Sequence, residues 1–154
     1  MTPRMNIFLA APQGSKAMLA VEASIEESGL EHGLLELVRL RASQINGCAF
    51  CLHMHVRDAV KHGENDMRIH MLDSWRGSPL FSDRERAALN WTESLTRIAE
   101  THAPDEDYAL LKSHFSEKEI AYLTLVIGAI NLWNRVQTGL RAIHPTEESA
   151  AAAA

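Results

Sequence analysis

Residues 31–62 read EHGLLELVRLRASQINGCAFCLHMHVRDAVKH, and this stretch predicts two helices separated by one break. Apolar residues recur with helical period from about Glu31 to Asn46, and they are too many for one narrow stripe. We therefore expect this helix to be buried on more than one side. Asn46-Gly47 interrupts the pattern and is expected to supply the N-cap of a helix running from about Cys48 to His62, which Gly63 ends.

The rest of the chain also has the pattern of helices. A first helix is expected from about Gly14 to Ser28, and no segment shows the sustained alternation of a strand. Ser82-Asp83-Arg84-Glu85 and Ser116-Glu117-Lys118-Glu119 have the form of capping boxes, in which side chains satisfy the first free backbone amides of a helix. Ala103-Pro104-Asp105 marks the turn into another short helix, and Gly77-Ser78-Pro79 is the clearest internal loop. The prediction is an all-α fold, a compact bundle of about seven helices.

Length and composition indicate one globular domain. The chain has 154 residues, of which 46% are hydrophobic and 23% charged, and these values are ordinary for a folded protein with its own core. We expect a single domain over residues 1–154, with its core at about 14–144 and a flexible C-terminal tail at 145–154.

Charge and hydropathy argue against several partners. The net charge is −5, and the basic residues are scattered, so the footprint of a nucleic-acid binder is missing. The most apolar run, residues 120–132, is too short to span a membrane and fits a buried helix better. The N-terminal apolar patch is too short and too broken for a signal peptide. A cytoplasmic protein is expected, in a compartment that keeps thiols reduced.

The two cysteines are where chemistry is expected. On a helix, Cys48, Cys51 and His55 share one face because they lie three and four positions apart. The backbone amides and dipole of a helix start favour a thiolate, and His55 can take the thiol proton. If the two helices pack antiparallel across the short break, Glu36 can face His55 and complete a carboxylate–histidine–thiol relay.

Other interpretations of the cysteine pair are weaker. Zinc needs four ligands, and His53 lies on a different face of the helix from His55, so a closed site within this segment would be strained, although zinc shared between subunits stays open. Haem attachment needs histidine where Leu52 stands. A thioredoxin fold needs strands, and two merely buried thiols fit poorly beside a histidine at a helix start. We expect neither a metal nor a cofactor.

Further histidines and the tryptophans have simpler explanations. His53 is expected at the surface or an interface, and His62 is expected to bind the terminal carbonyls of its helix. The three tryptophans are expected to be core or interface anchors, because aromatic side chains bury large apolar areas. They are Trp75, Trp91 and Trp133.

Glu36, the segment from Leu40 to Cys51 and His55 together resemble the core motif of the alkylhydroperoxidase AhpD-like proteins of the carboxymuconolactone decarboxylase superfamily. Residues 81–89 and 131–135 also look like members of that superfamily. The resemblance covers most of residues 20–142, and the combination of glutamate with CxxCxxxH is far more specific than CxxC alone.

This resemblance implies an all-helical subunit that assembles into trimers or hexamers and has thiol-dependent peroxidase activity. It assigns Cys51 as the peroxidatic cysteine, Cys48 as the resolving cysteine, and Glu36 and His55 as the proton relay. The expected partners are a peroxide substrate and an external dithiol or thioredoxin-like reductant. The founding alkylhydroperoxidase has a further histidine inside its CxxC, where this chain has Phe50.

Two questions stay open from the sequence. The helix-start amides favour Cys48 as the thiolate, whereas the partners His55 and Glu36 favour Cys51. The alternatives to a peroxidase are a redox-sensing or metal-binding oligomer without turnover and a decarboxylase or isomerase of a small lactone. The decarboxylases of the superfamily lack the CxxC, so its presence argues against the lactone reaction.

Overall fold

The computed structural model describes residues 1–145, and within them it contains nine α-helices, one 3₁₀ helix and no strand. The predicted all-α class is confirmed, whereas the predicted number of about seven helices is too low. The additional helices α1 and α7 have four residues each, too few to show a helical period in the sequence. The predicted flexible tail lies outside the described residues except for Pro145. The helices are α1 (Ile7–Ala10), α2 (Pro12–Glu26), α3 (His32–Asn46), α4 (Ala49–Lys61), α5 (Asp66–Met71), the 3₁₀ helix (Leu72–Gly77), α6 (Asp83–Thr96), α7 (Ile98–Thr101), α8 (Asp105–Lys112) and α9 (Glu117–Gly139).

Helix α3 is the centre of the fold. Residues 34–43 are all buried, so the expectation of burial on more than one side is confirmed. Leu35 and Val38 pack into a cluster with side chains of α6 and α9. Leu37 and Leu40 pack on the opposite side, into a cluster with the 3₁₀ helix, α4 and Phe81. Because every face of α3 is covered, its charged side chains have to find partners inside the protein.

Helix α2 starts earlier than the sequence analysis placed it. It begins at Pro12 and ends at Glu26, whereas the sequence predicted a helix from about Gly14 to Ser28. Proline is well suited to the first position of a helix, because the backbone N–H that it lacks would have no partner there. The short helix α1 packs against α2 and adds Phe8 to a cavity described below.

The break between α3 and α4 differs from the prediction in one respect. Gly47 adopts a left-handed conformation with φ 64° and ψ 33° and ends α3. The N-cap of α4 is Cys48, whose sulfur accepts a hydrogen bond from the backbone N–H of Cys51 at 3.4 Å. The prediction that Asn46 or Gly47 would cap α4 is therefore wrong. The first turn of α4 is instead capped by the sulfur of Cys48.

An amide network fixes the position of this break. The side-chain amide of Asn46 donates to Asn131 Oδ1 at 3.0 Å and to Asn134 Oδ1 at 2.8 Å, and Asn134 donates in turn to Ser43 at 3.0 Å. The end of α3 is thus tied to α9. Both predicted capping boxes are present, at the starts of α6 and α9.

Within residues 1–145, none of the helices has the length and apolarity needed to cross a lipid bilayer.

Replacing Gly47 with alanine is expected to lower the free energy of unfolding by about 1 kcal/mol, because a side chain disfavours the left-handed conformation. An added Cβ would meet no atom within 4 Å, so the loss comes from the backbone alone. Gly33→Ala is the matched control: Gly33 lies inside α3 with equally free space, and alanine there leaves stability unchanged or raises it slightly. Urea unfolding of both variants measures the difference, and equal stabilities would contradict the prediction.

Candidate active site

Glu36 and His55 meet between α3 and α4, as the sequence analysis anticipated. His55 Nδ1 lies 2.9 Å from Glu36 Oε2, and the two residues are only 7% and 2% exposed. When Nδ1–H donates to the carboxylate, the other ring nitrogen, Nε2, is left to accept a proton. The pair can therefore act as a base that is oriented by a buried carboxylate.

Arg39 holds the second oxygen of the same carboxylate. Its guanidinium donates to Glu36 Oε1 at 2.8 Å, and through Nη2 to Glu22 at 2.9 Å and to Glu26 at 2.7 Å. The guanidinium is planar and its donors are fixed in direction, so it determines which oxygen of Glu36 faces His55. The sequence analysis did not assign Arg39 any role, since a charged residue in a helix gives no signal of burial.

The electrostatics of this network keep Glu36 ionised. Burial by itself would raise the pKa of Glu36, but the hydrogen bond and charge of His55 and the guanidinium of Arg39 outweigh burial and lower the pKa below 4.5. An ionised Glu36 can stabilise a protonated His55, which is what a histidine needs in order to accept a proton from a thiol.

Cys48 and Cys51 are joined in a disulfide, with their Cα atoms 5.4 Å apart. Both residues are buried, at 1% exposure each, and they pack against Ala42 and Ile130. They differ in their position relative to a cavity, which is lined by Cys51 and not by Cys48. The same cavity reaches His55 and Glu36, so three of the four predicted site residues line one space.

This cavity has a volume of about 470 Å³ and is lined by two kinds of residue. The first kind is apolar, and the second carries carboxylates, a guanidinium and imidazoles. The apolar lining consists of Phe8, Leu19, Phe50, Met54, Ile130 and Trp133. The polar lining includes Glu22, Glu26, Glu36, Asp58, Arg39, His32, His55 and His62. A cavity of this size accepts an organic molecule at the thiol.

The other histidines and the tryptophans lie mostly where the sequence predicted. His53 lies toward the surface and stacks on His144, with ring centroids 4.6 Å apart, and His62 Nδ1 donates to the Asp58 carbonyl at 2.7 Å; both expectations are confirmed. Trp75 and Trp91 are buried in the core as expected. Trp133 also lines the cavity, a position that the sequence analysis did not assign to it.

Several residues that line the cavity were not predicted from the sequence. Phe8 lies on the short helix α1, His32 begins α3, and Asp58 follows His55 by three positions on α4. Only Asp58 carried a usable signal, since its spacing from Cys51 and His55 continues one helix face. The others come from distant segments.

The sequence profile described as "Carboxymuconolactone decarboxylase family" matches residues 12–94. The uncharacterized protein YdfG of Bacillus subtilis is 38% identical over 140 residues, which are 91% of this chain and 95% of that protein. A crystal structure from Agrobacterium tumefaciens, of a protein described as of unknown function and as a proposed antioxidant defence protein AhpD, is 46% identical with a TM-score of 0.92, covering 95% of this chain and all of that chain (100%). An uncharacterized peroxidase-related protein from Silicibacter is 28% identical with a TM-score of 0.75, covering 87% of this chain and 71% of that chain.

The chain belongs to the carboxymuconolactone decarboxylase family. Within it, the fold and the structural relatives place the chain among the AhpD-like proteins, which confirms the resemblance seen in the sequence.

Replacing Glu36 with glutamine is expected to change how stability depends on pH. The folded-state pKa of Glu36 lies below its unfolded value near 4.5, so the ionised carboxylate stabilises the fold above that pH and loses its contribution as the pH falls through the folded pKa. At neutral pH, Glu36→Gln should cost roughly 3 kcal/mol, because it leaves Arg39 and His55 incompletely paired.

Urea unfolding of both proteins between pH 7 and pH 3 measures this difference. The gap between wild type and variant should narrow below about pH 4.5. Glu117 is exposed at the start of α9, and Glu117→Gln is the control for loss of a carboxylate. A gap that stays constant with pH would contradict the assignment of an ionised, buried Glu36.

Proposed function

We propose that this chain is a thiol-dependent peroxidase, a peroxiredoxin-type oxidoreductase that reduces peroxides through Cys51 and Cys48 with Glu36 and His55 as proton relay. The observation that carries the proposal is the cavity that brings Cys51, His55 and Glu36 to one space, while buried Cys48 is not among its lining residues. The relatives described as AhpD and as peroxidase-related agree with this function.

The reaction starts from the reduced cysteine pair. His55, oriented by Glu36, takes the proton of the Cys51 thiol, and the thiolate attacks the outer oxygen of the peroxide. The O–O bond breaks, Cys51 becomes a sulfenic acid, and the departing alkoxide takes the proton back from His55 and leaves as an alcohol.

The second step closes the disulfide. The sulfur of Cys48 attacks the sulfur of the Cys51 sulfenic acid, and the hydroxyl leaves as water. Because the side chain of Cys48 caps α4, its thiolate would be stabilised by the free amides of the first turn. An external dithiol then reduces the disulfide and is itself oxidised to a disulfide, so the cycle consumes one peroxide and one dithiol.

This division of roles is consistent with both the helix physics and the resemblance. The amide field acts on Cys48, which supports a resolving thiolate, while the cavity that Cys51 and His55 both line favours Cys51 as the residue that meets the peroxide. Phe50 belongs to the apolar lining of the cavity and has no proton to transfer. In this chain His55 is then the proton carrier beside Cys51. The trimeric or hexameric assembly implied by the resemblance stays a prediction.

Peroxide consumption with dithiothreitol as reductant tests the proposal. Wild type should turn over cumene hydroperoxide, Cys51→Ser should lose at least about a hundredfold in rate, and His55→Gln should lose roughly 10²–10⁴-fold as expected for loss of a general base. In Cys48→Ser, the sulfenic acid has no internal partner, so dimedone should label Cys51 after one peroxide equivalent.

His53→Gln is the matched control, since His53 lies on the same helix and stacks on His144 outside this cavity; its rate should equal that of wild type. Equal rates in wild type and both cysteine variants would overturn the proposal. Conversion of a small lactone that persists with both cysteines replaced would favour the decarboxylase alternative.

One observation favours a second candidate function, metal binding without turnover. Ligand atoms of Glu36, His55 and Asp58 all lie within 4.8 Å of one another, and such a set can hold a divalent cation with water completing the shell. If the peroxidase proposal holds, the reduced, untagged protein as purified contains far less than one zinc per chain and turns over peroxide. Stoichiometric zinc that is lost in Asp58→Asn, together with absent turnover, would favour the metal-binding function instead.

A further inference from the structure

The cavity at Cys51 has an uneven charge that the proposed reaction does not explain. Four carboxylates line it, from Glu22, Glu26, Glu36 and Asp58, against the single guanidinium of Arg39. With neutral histidines, the formal charge of the lining is −3. Reduction of an O–O bond needs only Glu36 of these four. Glu22 and Glu26 pair with Arg39, and Asp58 has no part in the proposed reaction.

Arg39 cannot serve as an anchor for an anionic ligand. Its guanidinium is shared among Glu36, Glu22 and Glu26 at 2.7–2.9 Å, and the residue is 5% exposed. A ligand carboxylate entering the cavity would have to compete with three protein carboxylates for the guanidinium of Arg39. It would also be repelled by Asp58, which lines the cavity. Asp58 has no partner among the ion pairs of residues 1–145. Repulsion between like charges is strong in a partly enclosed space of low dielectric constant.

The apolar lining of the cavity is suited to the hydrocarbon part of a ligand. Phe50 and Met54 from α4, Ile130 and Trp133 from α9, and Phe8 from α1 face the same space. Aromatic and sulfur-containing side chains of this kind pack well on flat or branched hydrocarbon groups. A cavity of about 470 Å³ holds a ring with substituents and is larger than hydrogen peroxide requires.

We infer that the cavity selects organic hydroperoxides by charge: it takes bulky apolar hydroperoxides that are neutral or positively charged and rejects those that carry a carboxylate. This inference rests on the proposed peroxidase function for the identity of the reacting group. The charge selection itself is a property of the lining carboxylates of Glu22, Glu26 and Asp58, and it acts on any ligand of the cavity.

A basic surface next to the cavity would favour anionic ligands instead. A neighbouring surface depression shares Phe50, Met54 and Asp58 with the cavity and carries His53, Arg57 and Lys61. Arg57 and Lys61 are exposed and border only this depression, so water and salt screen them. The carboxylates line the cavity that contains Cys51, and although Glu26 is exposed, Glu22 and Asp58 are half-buried. We therefore expect the acidic lining to dominate.

The test uses three probes of nearly equal shape: cumene hydroperoxide, its para-carboxylate and its para-(trimethylammonio)methyl derivative. The kcat/KM of wild type should be roughly tenfold lower for the carboxylate than for the neutral probe, and equal or higher for the cation. Asp58→Asn should narrow the ratio between neutral and anionic probes about threefold. Asp105→Asn removes the same charge from an exposed position at the start of α8 and should leave the ratio unchanged.

A binding measurement keeps the inference independent of turnover. The three corresponding alcohols cannot react, and their dissociation constants, followed by tryptophan fluorescence because Trp133 lines the cavity, should show the same order. If the protein shows this order of binding but no turnover, the peroxidase function is wrong and the charge selection is still supported. An anionic probe that is bound and turned over as well as the neutral one would overturn the inference, and loss of anion binding in Arg57→Gln with Lys61→Gln would identify the basic surface as its cause.

Discussion

The structure depends on the pairing of charges that are buried on α3. Glu36, Arg39 and Arg41 lie within the covered part of this helix, where an unpaired charge would cost several kcal/mol. Each of them requires a partner from a particular neighbouring helix. The three side chains therefore determine which elements lie on which side of α3, in addition to the apolar contacts that drive them together.

These partners connect α3 to α2, α4, α6 and the 3₁₀ helix. Arg39 pairs with Glu22 and Glu26 on α2, and Glu36 pairs with His55 on α4. Arg41 pairs with Asp73 in the 3₁₀ helix and with Glu93 on α6, the latter at 2.7 Å. Sites that need a precisely oriented base are usually built on such rigid elements. Here the arrangement that satisfies the buried charges also holds the ring of His55 against Glu36.

The two cysteines lie in different environments. Cys48 ends the break after Gly47, where its sulfur caps α4, whereas Cys51 lies one turn further along and borders the cavity. One sulfur thus accepts a hydrogen bond from a backbone amide, and the other borders a cavity that His55 also lines.

The sequence by itself determined the helical class, the two capping boxes and the group formed by Cys48, Cys51 and His55, because these features depend on spacing along one helix or on local backbone chemistry. The tertiary structure alone decided that Arg39 is buried against three carboxylates, that Phe8 and Trp133 line the same cavity as Cys51, and that carboxylates outnumber cations in this lining. A charged or aromatic residue gives the same local signal whether it faces solvent or a cavity. Its environment is set by helices that are distant in the chain, and that information exists only once they have packed together.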